Sequence, residues 1–329
     1  MNIVLVGYGD IAGLHAQAIQ KLREEPAGRE LKLYGVVGRL REPSEAFAKE
    51  YGMEVCTTNF DAVLADPKVG VVVICSPSEL HAGQTEHALR AGKHVLCEIP
   101  LALSLARTDA LIRVVDESRR CLMVCHTQHF YRGLQEARKM VAEGELHPYA
   151  VVGRFVRLRR VNEGRLGNKR SWTDNLLWHH GCHSVDTALW LLGATEVEVT
   201  AQVALPSGNL NIPMDLTVTM RTPRDQIATI VMSYNSHFRL HDYVMFGEET
   251  SVLWEADQLR GPDRILAGER TSDFLAPAVF RQDAEFFAAV REKREPAISG
   301  RTVRPAMVAL QAAQDSLETR IRESRSSGG

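Results

Sequence analysis

Asn2-Ile3-Val4-Leu5-Val6-Gly7-Tyr8-Gly9-Asp10-Ile11-Ala12 decides how the rest of the chain is read. A short apolar run ends in Gly-x-Gly-x-x-Ala, and Ile11–Leu22 then carries apolar residues at helical spacing. Each small residue has a physical reason. The first glycine permits the tight turn, the second lets backbone approach a pyrophosphate, and the alanine allows close packing of helix on strand. An anion then lies at a helix N-terminus, where free N–H groups point at it. Taken alone, the motif is also an ordinary glycine-rich turn, so its surroundings must choose.

Strand and helix signals alternate after it: Leu31–Val37, Pro43–Tyr51, Met53–Cys56, Val69–Cys75, Glu79–Ala91, His94–Cys97, Ser104–Arg119 and Cys121–Cys125. Runs such as Val69–Cys75 are apolar on both faces, which requires a parallel sheet covered on both sides. Residues 1–127 therefore read as an α/β dinucleotide-binding domain. Beyond them the period changes. A helix near Leu134–Glu143 precedes alternating stretches at Ala150–Val161, Glu196–Ala204, Asp215–Met220, Gln226–Tyr234, Tyr243–Phe246 and Ser251–Glu255. Helices are expected at Leu176–Leu192, Phe280–Arg291 and Ala306–Arg322. Residues 128–329 thus read as an α+β domain on an open, mostly antiparallel sheet, for substrate binding and oligomerisation. An uncovered sheet face points to a homodimer or homotetramer.

The 329 residues are 45% hydrophobic and 24% charged, with a formal net charge of −2. A nucleic-acid partner needs a basic excess that this chain lacks. No apolar run reaches the roughly 20 residues of a membrane helix. The start, MNIVLVGYGD, has no basic segment before its apolar run, so the expected location is cytoplasmic. Six cysteines without a CxxC read as free, buried thiols of a reducing compartment. No internal repeat is visible, and Ser324–Gly329 reads as a frayed end.

Cofactor contacts are expected from Gly7, Tyr8, Gly9, Asp10 and Ile11. The second strand ends Val36-Val37-Gly38-Arg39, without the acid that binds a ribose 2′-hydroxyl. Gly38 should leave room, and Arg39 can pair with a 2′-phosphate, which favours NADP over NAD. A solvated arginine is the plainer alternative. Ser76, Pro77 and His81, after the Val69–Cys75 strand, are expected on the nicotinamide side, although Ser78 as a helix cap explains the serines equally well. Glu98, at the end of the next strand, is expected at the nicotinamide ribose.

The stretches GYGDIAGLHAQAI, SPSELHAGQTEHALRAGKHVLCEIPLA and GCHSVDTALWLLG resemble the glucose–fructose oxidoreductase/inositol dehydrogenase/MocA family, nearly end to end. The resemblance implies a Rossmann domain followed by an open-faced sheet domain, and NAD(P)-dependent oxidation of sugars or cyclitols. Two departures stand out. The family's Glu-Lys-Pro is Glu98-Ile99-Pro100, so the proton-assisting lysine is missing. Its Asp-x-x-x-His-x-x-Asp helix begins with His179, while His183 and Asp186 match. With RSWTDNLLWHH and CHTQHF, these departures resemble a branch that oxidises the cyclic hemiacetal of a dicarboxylate from aromatic-ring degradation, using NADP.

Such an oxidation needs a hydride acceptor and a base for the hydroxyl proton. Imidazole titrates near neutrality and can serve without a lysine. His183 is the expected base, with His179 and His180 to orient substrate or relay the proton. Packing histidines, or a metal on His179, His183 and Asp186, are the competing readings, and no metal is expected. Asp186 is expected to support the histidines. Residues 157–170 hold Arg157, Arg159, Arg160, Arg165, Lys169 and Arg170 against one acid, Glu163. Arginine forks hold carboxylates bidentately, so Arg170, Lys169, Arg160 and Trp172 are the expected substrate contacts for a small dicarboxylate. A non-catalytic cofactor sensor is the alternative of another class.

Overall fold

The computed structural model describes residues 1–161, 176–206 and 210–326. In the first unit, β1 (Asn2–Val6), α1 (Asp10–Leu22), β2 (Lys32–Val37), α2 (Arg41–Glu50) and β3 (Val55–Thr57) come first. They are followed by α3 (Phe60–Ala65), β4 (Val69–Ile74), α4 (Ser78–Arg90), β5 (His94–Cys97), α5 (Leu105–Ser118) and β6 (Leu122–Val124). The strands lie in the order β3-β2-β1-β4-β5-β6 and all neighbours run parallel. The connections reverse direction after β3, so the carboxyl ends of β1 and β4 flank a crevice of the kind that holds dinucleotides. Ile3, Val4, Leu5, Val71, Val72, Val73 and Ile74 are completely buried. Burying any one of them contributes about 1.5–3 kcal/mol, which is why these runs cannot be exposed loops.

The first unit also takes in residues 275–303. There, α8 (Leu275–Glu292) packs on α1. Past it, the Val124 N–H donates to the Ile298 carbonyl at 2.9 Å, and Met123 bridges Ser299 in antiparallel sense. A single cut at residue 127 therefore does not describe how the chain is grouped.

The second unit is built on α6 (Arg132–Ala142), β7 (Pro148–Leu158), α7 (Cys182–Leu192), β8 (Glu198–Val203), β9 (Asp215–Arg221) and β10 (Ile227–Ser233). It continues with β11 (Asn235–Gly247), β12 (Ser251–Glu255), β13 (Gln258–Arg260) and β14 (Ile265–Ala267). The order is β14-β13-β12-β11-β7-β10-β9-β8, antiparallel except where β7 meets β10. α7 covers one face at β7 and β10. The opposite face carries Val152, Thr217, Thr219, Thr229, Val231 and Val244, all half-buried.

Several boundaries differ from the sequence reading. β11 starts at Asn235, eight residues before the expected strand, because polar SHFRLHD hides the alternation. Its register breaks between Asn235 and Leu240, so residues 236–239 stand opposite Arg157 alone. The closing helix, α9 (Gly300–Ser326), extends past the expected end, through Ser324–Ser326. Hydrogen bonds from Gln311 to Asp315 and from Gln314 to Glu318 support its exposed side. All six cysteines are free thiols, with Cys97, Cys125 and Cys182 buried. Among the described residues, no helix is long and apolar enough to cross a membrane.

Candidate active site

Gly7 has φ +115°, and a Cβ there would lie 2.5 Å from the Cys75 carbonyl oxygen. The turn is therefore restricted to glycine, and the Gly7 N–H donates to the Val37 carbonyl at 2.8 Å. Gly9 is different: a Cβ would meet nothing within 4 Å. It is the N-cap of α1, whose first N–H groups receive no side-chain cap, while Ala12 is fully buried against the sheet. An open glycine above uncapped helix N–H groups fits a pyrophosphate. Asp10 is exposed and Ile11 half-buried beside it.

Several expectations at this edge need correction. Gly38 does not leave room, since a Cβ there would lie 1.9 Å from Ser44 Oγ and 2.5 Å from the Tyr8 ring. Tyr8 and Ser44 occupy that space, and Tyr8 acts as packing for the second turn. Arg39 is exposed and has no hydrogen-bond or ion-pair partner among the described residues. His81 is buried, and its ring nitrogens lie 2.7 Å from the Ser76 carbonyl and 2.9 Å from the Pro100 carbonyl. The ring ties two loops together and has no N–H left for a cofactor. Pro77, in extended backbone, is the cap residue of α4, so Ser78 is the first helical residue instead of its cap. Ser76 Oγ donates to Gln84 Oε1 at 2.5 Å. The Ile99–Pro100 peptide is cis.

Glu98 directly follows β5 and is one member of a largely buried charge cluster. His15 Nε2 lies 3.0 Å from Glu98 Oε1, and His15 Nδ1 lies 2.8 Å from Asp283 Oδ2. Burial alone would lower the histidine, but Asp283 and Glu98 outweigh it and push its pKa up to about 10. Among the described residues, the grouping with metal-ligand spacing is His15, Glu98 and Cys125, with ligand atoms within 4.8 Å. Burial, with the Glu98 and Asp283 charges, pushes the Cys125 thiol up. The imidazole nitrogens already face the Asp283 and Glu98 carboxylates.

In the second unit, the helix of histidines begins with a π turn, Leu177–Gly181, that runs into α7. The structure brings His179, His180 and His183 together around His180. The His179 and His180 rings are perpendicular, with centroids 4.2 Å apart. Burial first, then His179, His183, Arg159 and Arg157, lower His180 well below the usual histidine range, so it is neutral. Its ring stacks on Phe155 at 4.2 Å, and Nδ1 lies 2.5 Å from Tyr234 Oη. Arg159 donates to the same phenol oxygen at 3.1 Å and lies 5.1 Å over its ring. The result is a guanidinium–phenol–imidazole line. Asp186 is 2.6 Å from His129 Nε2, and His129 stacks on Trp190.

Arg160 is held by its surroundings: its Nη1 lies 2.9 Å from Asn235 Oδ1 and 3.4 Å from the Tyr234 carbonyl. Arg157 is lowered from the usual arginine range, by burial first and then by Arg239 and Arg159. Arg157 and Arg159 thus lie near enough to His180 to lower it, and Arg239 near enough to Arg157 to repel its charge. Arg239 comes from the β11 bulge, which the sequence reading did not single out; Tyr234, His15 and Asp283 were also missed. A buried-face position for an acid, between Val279 and Phe286, was the available signal for Asp283. Arg165, Lys169, Arg170 and Trp172 lie outside the described residues.

Residues 1–126 match the oxidoreductase family with an NAD-binding Rossmann fold, and residues 133–261 match the C-terminal domain of bacterial oxidoreductases. The chain is 30% identical over 298 residues to 4-carboxy-2-hydroxymuconate-6-semialdehyde dehydrogenase of Sphingobium sp. (strain NBRC 103272 / SYK-6), covering 90% of this chain and 92% of that protein. This chain belongs to the glucose–fructose oxidoreductase/inositol dehydrogenase/MocA family. It is also 31% identical over 202 residues to inositol 2-dehydrogenase of Rhizobium meliloti (strain 1021), covering 61% of this chain and 58% of that protein. Levoglucosan dehydrogenase in complex with NADH shares the fold, with TM-score 0.85, 19% identity and 97% of each chain covered. As a member of this family, the chain is an oxidoreductase that binds NAD(P) and acts on alcohol-type groups. Within the family frame, the missing Glu-Lys-Pro lysine leaves Glu98 with His15 as its described ionic partner.

Proposed function

We propose that this protein is an NADP-dependent dehydrogenase of aromatic-compound degradation. It oxidises the cyclic hemiacetal of 4-carboxy-2-hydroxymuconate-6-semialdehyde to 2-pyrone-4,6-dicarboxylate. The observation that carries this reading is Arg157 near neutral His180, with Arg239 repelling its charge and no carboxylate among the described residues that shift it. Like charges held near one another, as Arg157 and Arg239 are, are stabilised by an anionic ligand, and a dicarboxylate supplies it. The likeness to the Sphingobium dehydrogenase supports the same substrate.

When bound, the nicotinamide supplies the hydride acceptor. His183 takes the hydroxyl proton, while Tyr234 and Arg159 hold His180 as a neutral hydrogen-bonding group and His179 packs against it. Arg170, Lys169 and Trp172, and in lower order Arg160, are the proposed substrate contacts. Arg39, exposed and without a described partner at the end of β2, favours NADP over NAD. We further propose a cytoplasmic homodimer or homotetramer. The half-buried Val152, Val231 and Val244, with exposed Ile227 and Phe246, support pairing through the open sheet.

A second reading, an NAD(P)-dependent sugar or polyol dehydrogenase, is favoured by the matches to inositol dehydrogenases. The absorbance of reduced cofactor separates the two. The proposal expects NADPH formation with the hemiacetal and little with myo-inositol or neutral sugars. The opposite ranking overturns it in favour of the polyol reading.

A further inference from the structure

The buried cluster beneath the cofactor edge has a charge arithmetic of its own. Asp283 and His15 are completely buried, and Glu98 is 12% exposed at the carboxyl end of β5. Both ring nitrogens of His15 face carboxylates, so the ring is held as the imidazolium, with one N–H for each acid. One cation between two anions leaves one net negative charge. The neighbouring thiols do not change that sum: burial and the Glu98 charge keep Cys75, Cys97 and Cys125 protonated. Position 99, beside Glu98, is isoleucine and offers no compensating cation. The nicotinamide ring is a cation when oxidised and neutral when reduced.

We propose that the Asp283–His15–Glu98 triad is an electrostatic positioning device that makes this protein bind the oxidised cofactor in preference to the reduced one. Glu98 presents the uncompensated charge at the cofactor edge. His15 and Asp283 act through it, fixing its carboxylate and setting the net charge. The bias assists oxidation, because product cofactor leaves more readily than substrate cofactor. The inference rests on nicotinamide binding at this edge but not on the substrate or on the 2′-phosphate preference.

The test is equilibrium binding to the full chain without substrate. Reduced cofactor is followed by its fluorescence and oxidised cofactor by competition, for both the NAD and the NADP pairs. The readout is the ratio of the two dissociation constants within a pair. Glu98→Gln neutralises the triad and should weaken the oxidised form about tenfold while changing the reduced form less than about twofold. Asp283→Asn, completely buried, should move the ratio in the same direction, since it also leaves the triad neutral. His15→Gln should preserve the ratio, because burial and the Glu98 charge push the Asp283 carboxyl up, so that without the imidazolium it takes a proton and Glu98 keeps one negative charge. Equal weakening of both forms in Glu98→Gln and Asp283→Asn would mean a merely structural role and overturn the proposal. So would a ratio that falls as far in His15→Gln. A wild-type chain that binds neither pair would overturn the cofactor reading along with it. A ratio that behaves as described, in a chain inactive on the hemiacetal, supports the triad and overturns only the substrate.

Discussion

The phenol oxygen of Tyr234 lies 2.5 Å from Nδ1 of His180, and these two residues come from a strand end and a π turn separated by 54 positions. Arg159 donates to the same oxygen, so the phenol is fixed from both sides. Tyr234→Phe keeps the ring and removes that bridge. Turnover should fall on the order of tenfold, the effect of one hydrogen bond of about 1.5 kcal/mol, with little change in KM. Steady-state kinetics against a thermal melt separates this from unfolding, and unchanged turnover would remove Tyr234 from the machinery.

Arg239, in the β11 bulge, is near enough to Arg157 to lower it by charge repulsion. Arg239→Ala should raise KM for a dicarboxylate about tenfold and leave KM for a neutral polyol within about twofold. Equal effects on both would argue against anion recognition. High salt should weaken the dicarboxylate in the wild type more than in the variant, because screening replaces the lost charge.

Gly7 and Gly9 look alike in the motif but should respond in opposite ways. Gly7→Ala places a Cβ against the Cys75 carbonyl at positive φ and should destabilise the fold by about 1–3 kcal/mol or more. Gly9→Ala meets open space, so its melting temperature should stay close to wild type while dinucleotide affinity falls. Denaturation and cofactor titration on the two variants check both halves.

Arg39→Ala tests the cofactor preference. If Arg39 holds the 2′-phosphate as proposed, the KM for NADP should rise at least about tenfold while that for NAD changes little. A similar rise for both would assign Arg39 to the shared part of the cofactor, and no rise would make it a solvated arginine.

Stability should carry the signature of His15. Its folded pKa of about 10 is above the ordinary value of 6.5, so the contribution is full below about 6.5. It is lost as pH rises through about 10. The melting-temperature difference between wild type and His15→Gln should therefore narrow between pH 7 and 10; a gap that widens would contradict the imidazolium. His180 works in the opposite sense, because its folded pKa is depressed: its contribution is present above about 6.5 and is lost as pH falls.

The strand–glycine–helix opening and the apolar runs made the first unit legible, because periodicity and small-residue spacing are local properties. The histidine cluster was legible for the same reason, lying within five residues. The rest depends on separations no local pattern encodes. Asp283 reaches His15 from 268 positions away. The space above Gly38 is closed by Tyr8 and Ser44, which sit on other elements. Tyr234 ends the alternating stretch Gln226–Tyr234, and nothing in its sequence neighbours announces His180. The polar bulge of β11 masked a strand, since four residues opposite one erase the alternation on which a strand is recognised.

The antiparallel bridge from Met123 to Ser299 and the Asp283 carboxylate mean that the nucleotide unit is not a continuous piece of chain. During synthesis, β1 to β6 emerge first, but the edge of β6 and the second acid of His15 arrive only with residues 275–303. At about 5–20 residues per second, that wait is on the order of ten seconds or longer. Through it, a nascent chain holds His15 against Glu98 alone. A fragment ending at residue 127 should therefore be a partly folded species with an exposed sheet edge, and the cofactor domain completes itself only once residues 275–303 have been made.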